Sequence, residues 1–251
     1  MSRIAVVGTG AMGRNHVRVL REIPSVELVG VADADLETAR RVADSAGTRC
    51  YGSHEELIER ERPDAVTVAV PTNQHRGVVL DALAAGCHVL VEKPIAGSLA
   101  EADELVVAAK KAGRTLAVGH IERYNPAVVE LKRRLDEGQL GKLFQMHARR
   151  LGPFPQRIRD VGVVVDLATH DLDVMRYLSG SPIVRVYAET RRAVHTTNED
   201  LVSGLLRFAD DAVGVLQINW LTPTKIRELT VTGQRGMFRA NYLTQDLFFY
   251  E

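Results

Sequence analysis

The sequence predicts a two-domain α/β protein. Residues 1–120 are expected to form a Rossmann domain with a doubly wound parallel sheet, and residues 121–251 an α+β domain with a largely antiparallel sheet. In the first part, short apolar runs alternate with helical patterns, which is typical of right-handed βαβ units. A glycine-rich turn follows the first of these runs. In the second part, strand-like runs follow one another without intervening helices, which predicts antiparallel pairing.

The elements of the first domain follow from periodicity and from end signals. The expected strands cover residues 3–7, 27–32, 65–70, 88–91 and 115–118, which are nearly continuously apolar, as strands covered by helices on both faces should be. The expected helices lie near residues 13–22, 35–46, 54–60, 73–85 and 98–112. Capping boxes begin two of them, at Ser53 and Ser98. Gly86 and Gly113 stand where helices should end.

The second domain opens with Asn125-Pro126, the pattern of an N-cap followed by a first-turn proline, so a helix is expected to about residue 137. A second helix is expected over residues 166–179. The expected strands cover residues 183–190, 201–208, 212–220, 226–232 and 236–242. Asp210-Asp211 is placed to connect two of these strands as a hairpin.

Composition excludes several classes of protein. The chain is 45% apolar and 25% charged, which is ordinary for a globular protein. Its 32 basic residues balance 32 acidic ones, so it lacks the basic bias of a nucleic-acid binder. It has two cysteines without metal-ligand spacing, and no apolar run of membrane-spanning length. We therefore expect a cytoplasmic protein without a metal site and without a membrane or nucleic-acid partner.

The glycine-rich turn predicts a dinucleotide site. The loop Gly8-Thr9-Gly10-Ala11-Met12-Gly13 lies between a predicted strand and a predicted helix, where backbone N–H groups can hold a pyrophosphate. Asp33 follows the second strand at the distance expected of a carboxylate that binds the adenosine ribose. A carboxylate there repels a 2′-phosphate, so NAD is favoured over NADP. Arg40 and Arg41 lie too far along the next helix to reverse this preference.

Further motifs resemble the Gfo/Idh/MocA family of NAD(P)-dependent sugar oxidoreductases over essentially the whole chain. They comprise the glycine loop, the segment 70–75, Glu92-Lys93-Pro94, Gly119-His120 and the segment 166–171. The segments 119–127, 157–162 and 219–227 resemble the branch that oxidises C3 of UDP-N-acetylglucosamine. The resemblance implies a sugar or nucleotide-sugar substrate, and a cis bond before Pro94.

The expected catalytic residues are Lys93, Asp166 and His170. Lys93 stands at the carboxyl end of a predicted parallel strand, the edge at which open α/β sheets bind ligands. Its ammonium can donate to the reacting hydroxyl and stabilise developing negative charge. Asp166 and His170 lie one helical turn apart, and neutral imidazole suits removal of a hydroxyl proton at pH 7.

Other residues are expected to bind the cofactor or the substrate. The cofactor set adds Pro71, Thr72, Asn73, His75, Glu92 and Lys93 to the glycine loop and Asp33. For Asn73 and His75, helix capping is an equal alternative. The substrate set comprises Lys93, Tyr124, Asn125, Arg157, Arg159, Asp166 and His170. Lys225 and Arg227 are further candidates for a substrate diphosphate, while Trp220 is expected in the core or at an interface.

Three alternatives stay open: a polyol or aldose dehydrogenase, a glycosidase that uses bound NAD transiently, and a non-catalytic NAD-binding module.

One face of the second sheet is expected to lack helical cover, with Val213, Val215 and Ile218 as candidate apolar residues on it. A homodimer or homotetramer through this face is therefore predicted. Because members of the resembled family continue beyond the strand at residues 248–251, the sequence is expected to be either a shortened member of the family or a C-terminally truncated product.

Overall fold

The computed structural model describes residues 1–155, 161–195 and 197–251, which divide into two compact units, residues 1–119 and 120–251. Each unit has its own sheet and its own hydrophobic core. No helix within the described residues is long and apolar enough to cross a membrane.

The first unit is a Rossmann fold, as predicted. Its strands are β1 (Ser2–Val7), β2 (Val26–Ala32), β3 (Arg49–Tyr51), β4 (Ala65–Val68), β5 (His88–Val91) and β6 (Leu116–Val118). Its helices are α1 (Ala11–Glu22), α2 (Leu36–Ala46), α3 (His54–Glu61), α4 (Thr72–Ala84) and α5 (Leu99–Ala112). The six strands are parallel, in the order β3-β2-β1-β4-β5-β6. The strand order reverses beside β1, so the carboxyl ends of β1 and β4 form the expected ligand edge.

The predicted signals for the helix ends are confirmed, and the structure adds one strand, β3. Ser53 and Ser98 accept the predicted backbone hydrogen bonds at the starts of α3 and α5. Gly86 and Gly113 adopt positive φ angles of 82° and 62°. Strand β3 was not predicted, because three residues that include arginine and cysteine carry too little apolar pattern to stand out from a loop.

The second unit packs two α-helices against a mixed sheet. After a 3₁₀ turn, the helices are α6 (Pro126–Asp136) and α7 (Thr169–Ser179). The strands are β7 (Leu143–Leu151), β8 (Ile183–Arg191), β9 (Leu201–Phe208), β10 (Val213–Asn219), β11 (Ile226–Gly233), β12 (Gly236–Asn241) and β13 (Asp246–Tyr250). The sheet order is β13-β12-β11-β7-β10-β9-β8, and β7 and β10 are its one parallel pair among the described residues.

Strand β7 lies inside this sheet, between β11 and β10, although it was not predicted. Its sequence carries polar or charged residues on both faces, which hides the period-two pattern of a half-buried strand. Met146, Ala148 and Arg150 point into the core, and each is at most 4% exposed. The arginine among them is neutralised by partners from other elements, which the strand's own sequence does not indicate.

The alternation of β10 corrects one sequence expectation. Val213 and Val215 lie on the face away from the core, whereas Ile218 is fully buried within it. Side chains alternate between faces along a strand, so an even-numbered residue cannot share a face with 213 and 215. Ile218 therefore does not belong to the exposed face.

Candidate active site

The glycine loop of the first unit has the backbone geometry that a dinucleotide site requires. Gly8 has φ = +91°, and a Cβ placed on it would lie 2.6 Å from the carbonyl carbon of Ala69. A Cβ on Gly13 would lie 1.8 Å from the Gly8 carbonyl oxygen, so only glycine permits this close packing of helix and loop. A Cβ on Gly10 would point into open space instead. The loop thus leaves room beside Gly10, at the N-terminus of α1, for an anionic group.

Asp33 follows β2 and faces this loop. Its Oδ2 accepts hydrogen bonds from the backbone N and the Oγ1 of Thr9, at 2.7 and 2.9 Å. Its Oδ1 accepts one from the backbone N of Asp35, at 3.0 Å. These bonds fix the carboxylate at the loop, and an oxygen of a carboxylate retains further lone pairs for ribose hydroxyls. Thr9, which is fully buried, therefore orients Asp33.

The loop and Asp33 border a cavity of about 660 Å³. This volume lies in the range of sites that hold small molecules and cofactors. The residues that line it include Gly8, Gly10, Met12, Asp33, Val70 and Pro71. The donors, the carboxylate and the free volume together fit the adenosine and pyrophosphate portions of NAD.

Lys93 follows β5 and is joined by a cis peptide bond to Pro94. Oε1 of its neighbour Glu92 accepts a hydrogen bond from Nε2 of His16, at 2.8 Å. The second oxygen of Glu92 accepts a hydrogen bond from the backbone N of Lys93, at 3.3 Å. Gly119 lies against the same carboxyl group, where a Cβ would come within 3.2 Å of it. His16, which belongs to no recognisable sequence motif, thus connects α1 to the Lys93 segment.

Helix α4 begins beside the same edge of the sheet. Its N-cap is Pro71, and no side chain caps it, so Asn73 and His75 do not have the capping role that the sequence left open. The His75 ring is 1% exposed and lies between two backbone carbonyl oxygens. Thr72, Asn73 and Gln74 form the first turn of α4, and of these only Gln74 is among the residues that line the cavity.

In the second unit, Asp166 and His170 lie on one continuous helical segment. Residues Val164–Ala168 form a π-helical turn that leads directly into α7, with Asp166 in the turn and His170 in the first turn of α7. Both side chains are half-buried. A π-helical turn of this kind is a frequent feature of functional sites. The predicted helix over residues 166–179 is confirmed, with this wider turn at its start.

Behind this segment, a network of buried charged groups fixes α7. Asp171 is 1% exposed, and its two oxygens accept hydrogen bonds from Nε and Nη2 of Arg150 at 2.6 and 3.2 Å. Nη1 of Arg150 donates to Glu122 at 2.9 Å, and its guanidinium lies over the ring of Tyr242. Burial alone would lower the pKa of Arg150, but the carboxylates of Asp171 and Glu122 raise it above its ordinary value. Asp171 thus anchors the turn that carries His170.

The loop between β8 and β9 supports the other end of the segment. Glu199 accepts a hydrogen bond from the backbone N of Val164 at 3.0 Å, and its carbonyl oxygen accepts one from Val163. Next to it, Asp200 is fully buried and accepts hydrogen bonds from the backbone N atoms of Ala193, Val194 and His195. Asp200 therefore holds the loop closed, and Glu199 on that loop holds the start of the segment.

Replacing Asp200 with asparagine should lower the free energy of unfolding by about 1–3 kcal/mol, because its NH₂ group would face backbone donors. Burial would raise the pKa of Asp200, but hydrogen bonds from backbone N–H groups, including those of His195, Val194 and Ala193, outweigh burial and lower it. A lowered folded-state pKa stabilises the protein above pH 3.8, and this contribution is lost as the pH falls through the folded pKa. Urea denaturation should show the full difference in the free energy of unfolding between parent and variant above about pH 5. This difference should shrink below pH 3.8. A difference that grows on acidification would contradict this role.

The remaining predicted substrate residues have different surroundings. Asn125 caps α6 with its Oδ1, which accepts from Ala127, and its Nδ2 donates to the carbonyl of Tyr242, so both ends of the amide serve the fold. Tyr124 is 80% exposed. Nη1 of Arg227 donates to the Leu151 carbonyl at 2.7 Å, and Lys225 is exposed. Trp220 is buried beside Phe154 and His195, as expected of a core residue. Arg157 and Arg159 lie outside the described residues.

One group of described side chains has metal-ligand donors close together, within 4.8 Å of one another: His54, Glu55 and Asp81. The imidazole lies between the two carboxylates, with Nδ1 3.3 Å from Glu55 and Nε2 2.9 Å from Asp81. Each nitrogen therefore faces a different carboxylate. Pairing between these side chains accounts for the cluster without an ion.

Comparison with known proteins places these features in a family. A family model described as "Oxidoreductase family, NAD-binding Rossmann fold" matches residues 2–120, and the GFO/IDH/MocA C-terminal domain model matches residues 128–239. UDP-N-acetylglucosamine 3-dehydrogenase of Acidithiobacillus ferrooxidans is 32% identical over 99% of this chain and 76% of its own length. A solved structure of that protein has a TM-score of 0.92 and covers 100% of this chain and 80% of that one.

Other relatives have different names. Inositol 2-dehydrogenase 2 of Saccharopolyspora erythraea is 34% identical over 85% of this chain and 64% of its own length. The structure of GenD2 from gentamicin A biosynthesis, in complex with NAD, is 29% identical, with a TM-score of 0.89 over 96% of this chain and 72% of that one. The family models together match most of the chain, and the resemblance predicted from the sequence motifs is confirmed. This chain belongs to the Gfo/Idh/MocA family of oxidoreductases, with an NAD-binding Rossmann fold.

Proposed function

We propose that this protein oxidises a secondary hydroxyl of a sugar with NAD, and that the substrate is a UDP-N-acetylhexosamine oxidised at C3. The observation that carries the proposal is the placement of Lys93 at the carboxyl end of β5, in the unit that holds the glycine loop and Asp33. The sugar-nucleotide substrate is supported by the 32% identical relative that spans 99% of the chain.

In this proposal, each residue has a distinct role. The glycine loop and Asp33 hold the dinucleotide, which when bound accepts the hydride from the substrate carbon. His170 takes the hydroxyl proton, so that the alcohol becomes a ketone with the loss of one hydride and one proton. The Lys93 ammonium stabilises the negative charge that develops on the substrate oxygen. Asp166, one turn before His170, orients the substrate or the imidazole.

The cofactor preference follows from Asp33. Its carboxylate is fixed at the loop by Thr9 and Asp35, so it cannot turn away from a 2′-phosphate without breaking three hydrogen bonds. Repulsion between the two anions would then disfavour NADP. The NAD complex of the 29% identical relative GenD2 supports the same choice.

Incubation with NAD and UDP-N-acetylglucosamine tests the proposal directly, since NADH absorbance should rise and a 3-keto product should form. Activity on inositol or a free aldose, but not on the nucleotide sugar, would instead favour the polyol or aldose dehydrogenase that the inositol dehydrogenase relative represents. Release of a free sugar without net NADH would indicate the NAD-assisted glycosidase. NAD binding without turnover on a broad sugar panel would indicate a non-catalytic module.

We also propose that the protein assembles as a homo-oligomer through the exposed face of the second sheet. Tyr187, Leu205, Val215 and His147 form one cross-strand row on that face. Tyr187 is 64% and Leu205 52% exposed, and the row borders a depression of about 310 Å³. Exposed apolar surface of this kind marks an interaction site, and a second copy offers the same self-complementary surface.

Replacing Leu205 with lysine should weaken this assembly by at least about tenfold in dissociation constant, because the ammonium would be desolvated at the interface. The core should be unaffected, since Leu205 points away from it. Sedimentation velocity over a micromolar concentration series checks this expectation. A parent chain that remains monomeric throughout that series would contradict the proposed interface.

A further inference from the structure

His75 is a buried histidine whose ring bridges two loops at the edge of the sheet. Its Nδ1 lies 2.9 Å from the carbonyl oxygen of Pro94, and its Nε2 lies 3.0 Å from that of Val70. Pro94 follows Lys93 after β5, and Val70 lies just after β4. The side chain is 1% exposed, so the ring itself is shielded from water.

The backbone between β4 and β5 explains why a side chain is needed there. The last backbone bond between the two strands joins the N of Glu92 to the carbonyl of Val68 at 2.9 Å. Beyond it, the backbone leaves each strand and enters a segment that contains a proline, Pro71 after β4 and Pro94 after β5. Proline has no N–H to donate. Carbonyl groups buried in such segments require a donor from elsewhere. A neutral His75 ring meets that requirement for one of the two carbonyls, since it carries a single N–H.

We infer that His75 is a positioning residue for Lys93. Lys93 is held between two fixed points, the Glu92–Val68 backbone bond on one side and the contact between Pro94 and His75 on the other. Whichever nitrogen carries the proton, the ring donates to one loop and packs against the other, and so limits the movement of the lysine backbone. The inference rests on the proposed function in one respect, namely that Lys93 contacts the reacting hydroxyl.

The same geometry argues against direct cofactor contact by His75. Both ring nitrogens face backbone carbonyls, and the buried side chain presents no polar atom to the dinucleotide cavity. The expected effect of His75 is therefore on the rate of the reaction and not on the affinity for NAD.

Replacing His75 with glycine removes the ring and leaves a space of its size, which added imidazole can fill. We expect kcat to fall by about 10- to 100-fold, since a small displacement of a reacting group costs this much, while the dissociation constant for NAD stays within about threefold. Millimolar imidazole should restore a large part of kcat. The matched additive 1-methylimidazole has nearly the same shape but no N–H donor, so it should not.

Hydrogen exchange gives a readout that does not depend on turnover. In His75→Gln, amides of residues 92–97 should exchange faster than in the parent, while those of β1 and β2 should not change. His88→Gln is the matched control, because His88 lies at the opposite end of β5, where its Nδ1 accepts from Thr115. This control should alter neither kcat nor exchange at residues 92–97.

Two results would overturn the inference. The first is unchanged exchange at residues 92–97 in His75→Gln, and the second is equal rescue of His75→Gly by imidazole and 1-methylimidazole. Failure of the proposed function looks different. In that case the parent turns over none of the tested sugars, and the exchange experiment still decides whether His75 holds the Lys93 segment.

Discussion

Lys93→Met is expected to lower kcat by about 100-fold or more, with the fold and NAD affinity almost unchanged. Methionine keeps much of the length and the apolar stem of lysine but lacks the ammonium that would stabilise charge in the transition state. The backbone on either side is held by Glu92 and by the carbonyl contact of Pro94, and neither involves the lysine side chain. Steady-state kinetics with NAD and the nucleotide sugar, together with an NAD titration, measure both quantities.

Asp33→Ala supplies the opposite pattern and serves as the control. It should weaken NAD binding and reduce the preference for NAD over NADP, because the repulsion of a 2′-phosphate disappears. If Lys93→Met leaves turnover within a few-fold of the parent, Lys93 is structural and its catalytic assignment is wrong. If Asp33→Ala leaves NAD affinity unchanged, Asp33 does not contact the ribose.

The geometry of the glycine loop and the position of Asp33 beside it could be predicted because their determinants are local. Gly8, Gly10 and Gly13 lie within one turn, and the steric reasons for two of them, close approach to Ala69 and to the Gly8 carbonyl, follow from a short stretch of backbone. Asp33 directly follows the next strand of the same βαβ unit, β2. Spacing along the chain therefore translates almost directly into spacing in the structure.

The contacts of the supporting histidines could not be predicted, because their partners lie far away in the sequence. His16 meets Glu92 across 76 positions, and His75 meets Pro94 across 19. Nothing in the residues next to either histidine indicates the partner. Each has an ordinary place on a helix, and only the parallel sheet, which brings the carboxyl ends of distant strands to one edge, makes the contact.

Strand β7 was missed for a related physical reason. Hydrophobic periodicity identifies strands whose buried face is apolar, and Arg150 occupies a buried position of β7. Its burial is possible only because Asp171 and Glu122, from other elements, neutralise it. The buried arginine that breaks the apolar pattern of β7 therefore belongs to the network that supports α7.

That network carries the largest stability effect that we expect. Arg150→Met should lower the free energy of unfolding by about 3–5 kcal/mol, because it leaves the carboxylate of Asp171 buried without a counter-charge. Arg123→Met is the matched control. Arg123 also pairs with a carboxylate of α7, that of Asp173, but its side chain is 41% exposed, so the loss should be below about 1 kcal/mol. Urea denaturation at pH 7 measures the free energy of unfolding of the parent and of both variants.

The double variant separates a buried charge from lost packing. Asp171→Leu alone should also cost about 3–5 kcal/mol, since it leaves Arg150 with only the partly exposed Glu122 as a partner. Combining Arg150→Met with Asp171→Leu removes both charges, so the total loss should fall short of the sum of the single losses by about 2 kcal/mol or more. Because Asp171 directly follows His170, a stable double variant should still have a lower kcat than the parent. Additive losses in the double variant would show that the two side chains act independently, and that the carboxylate of Asp171 is not held by Arg150.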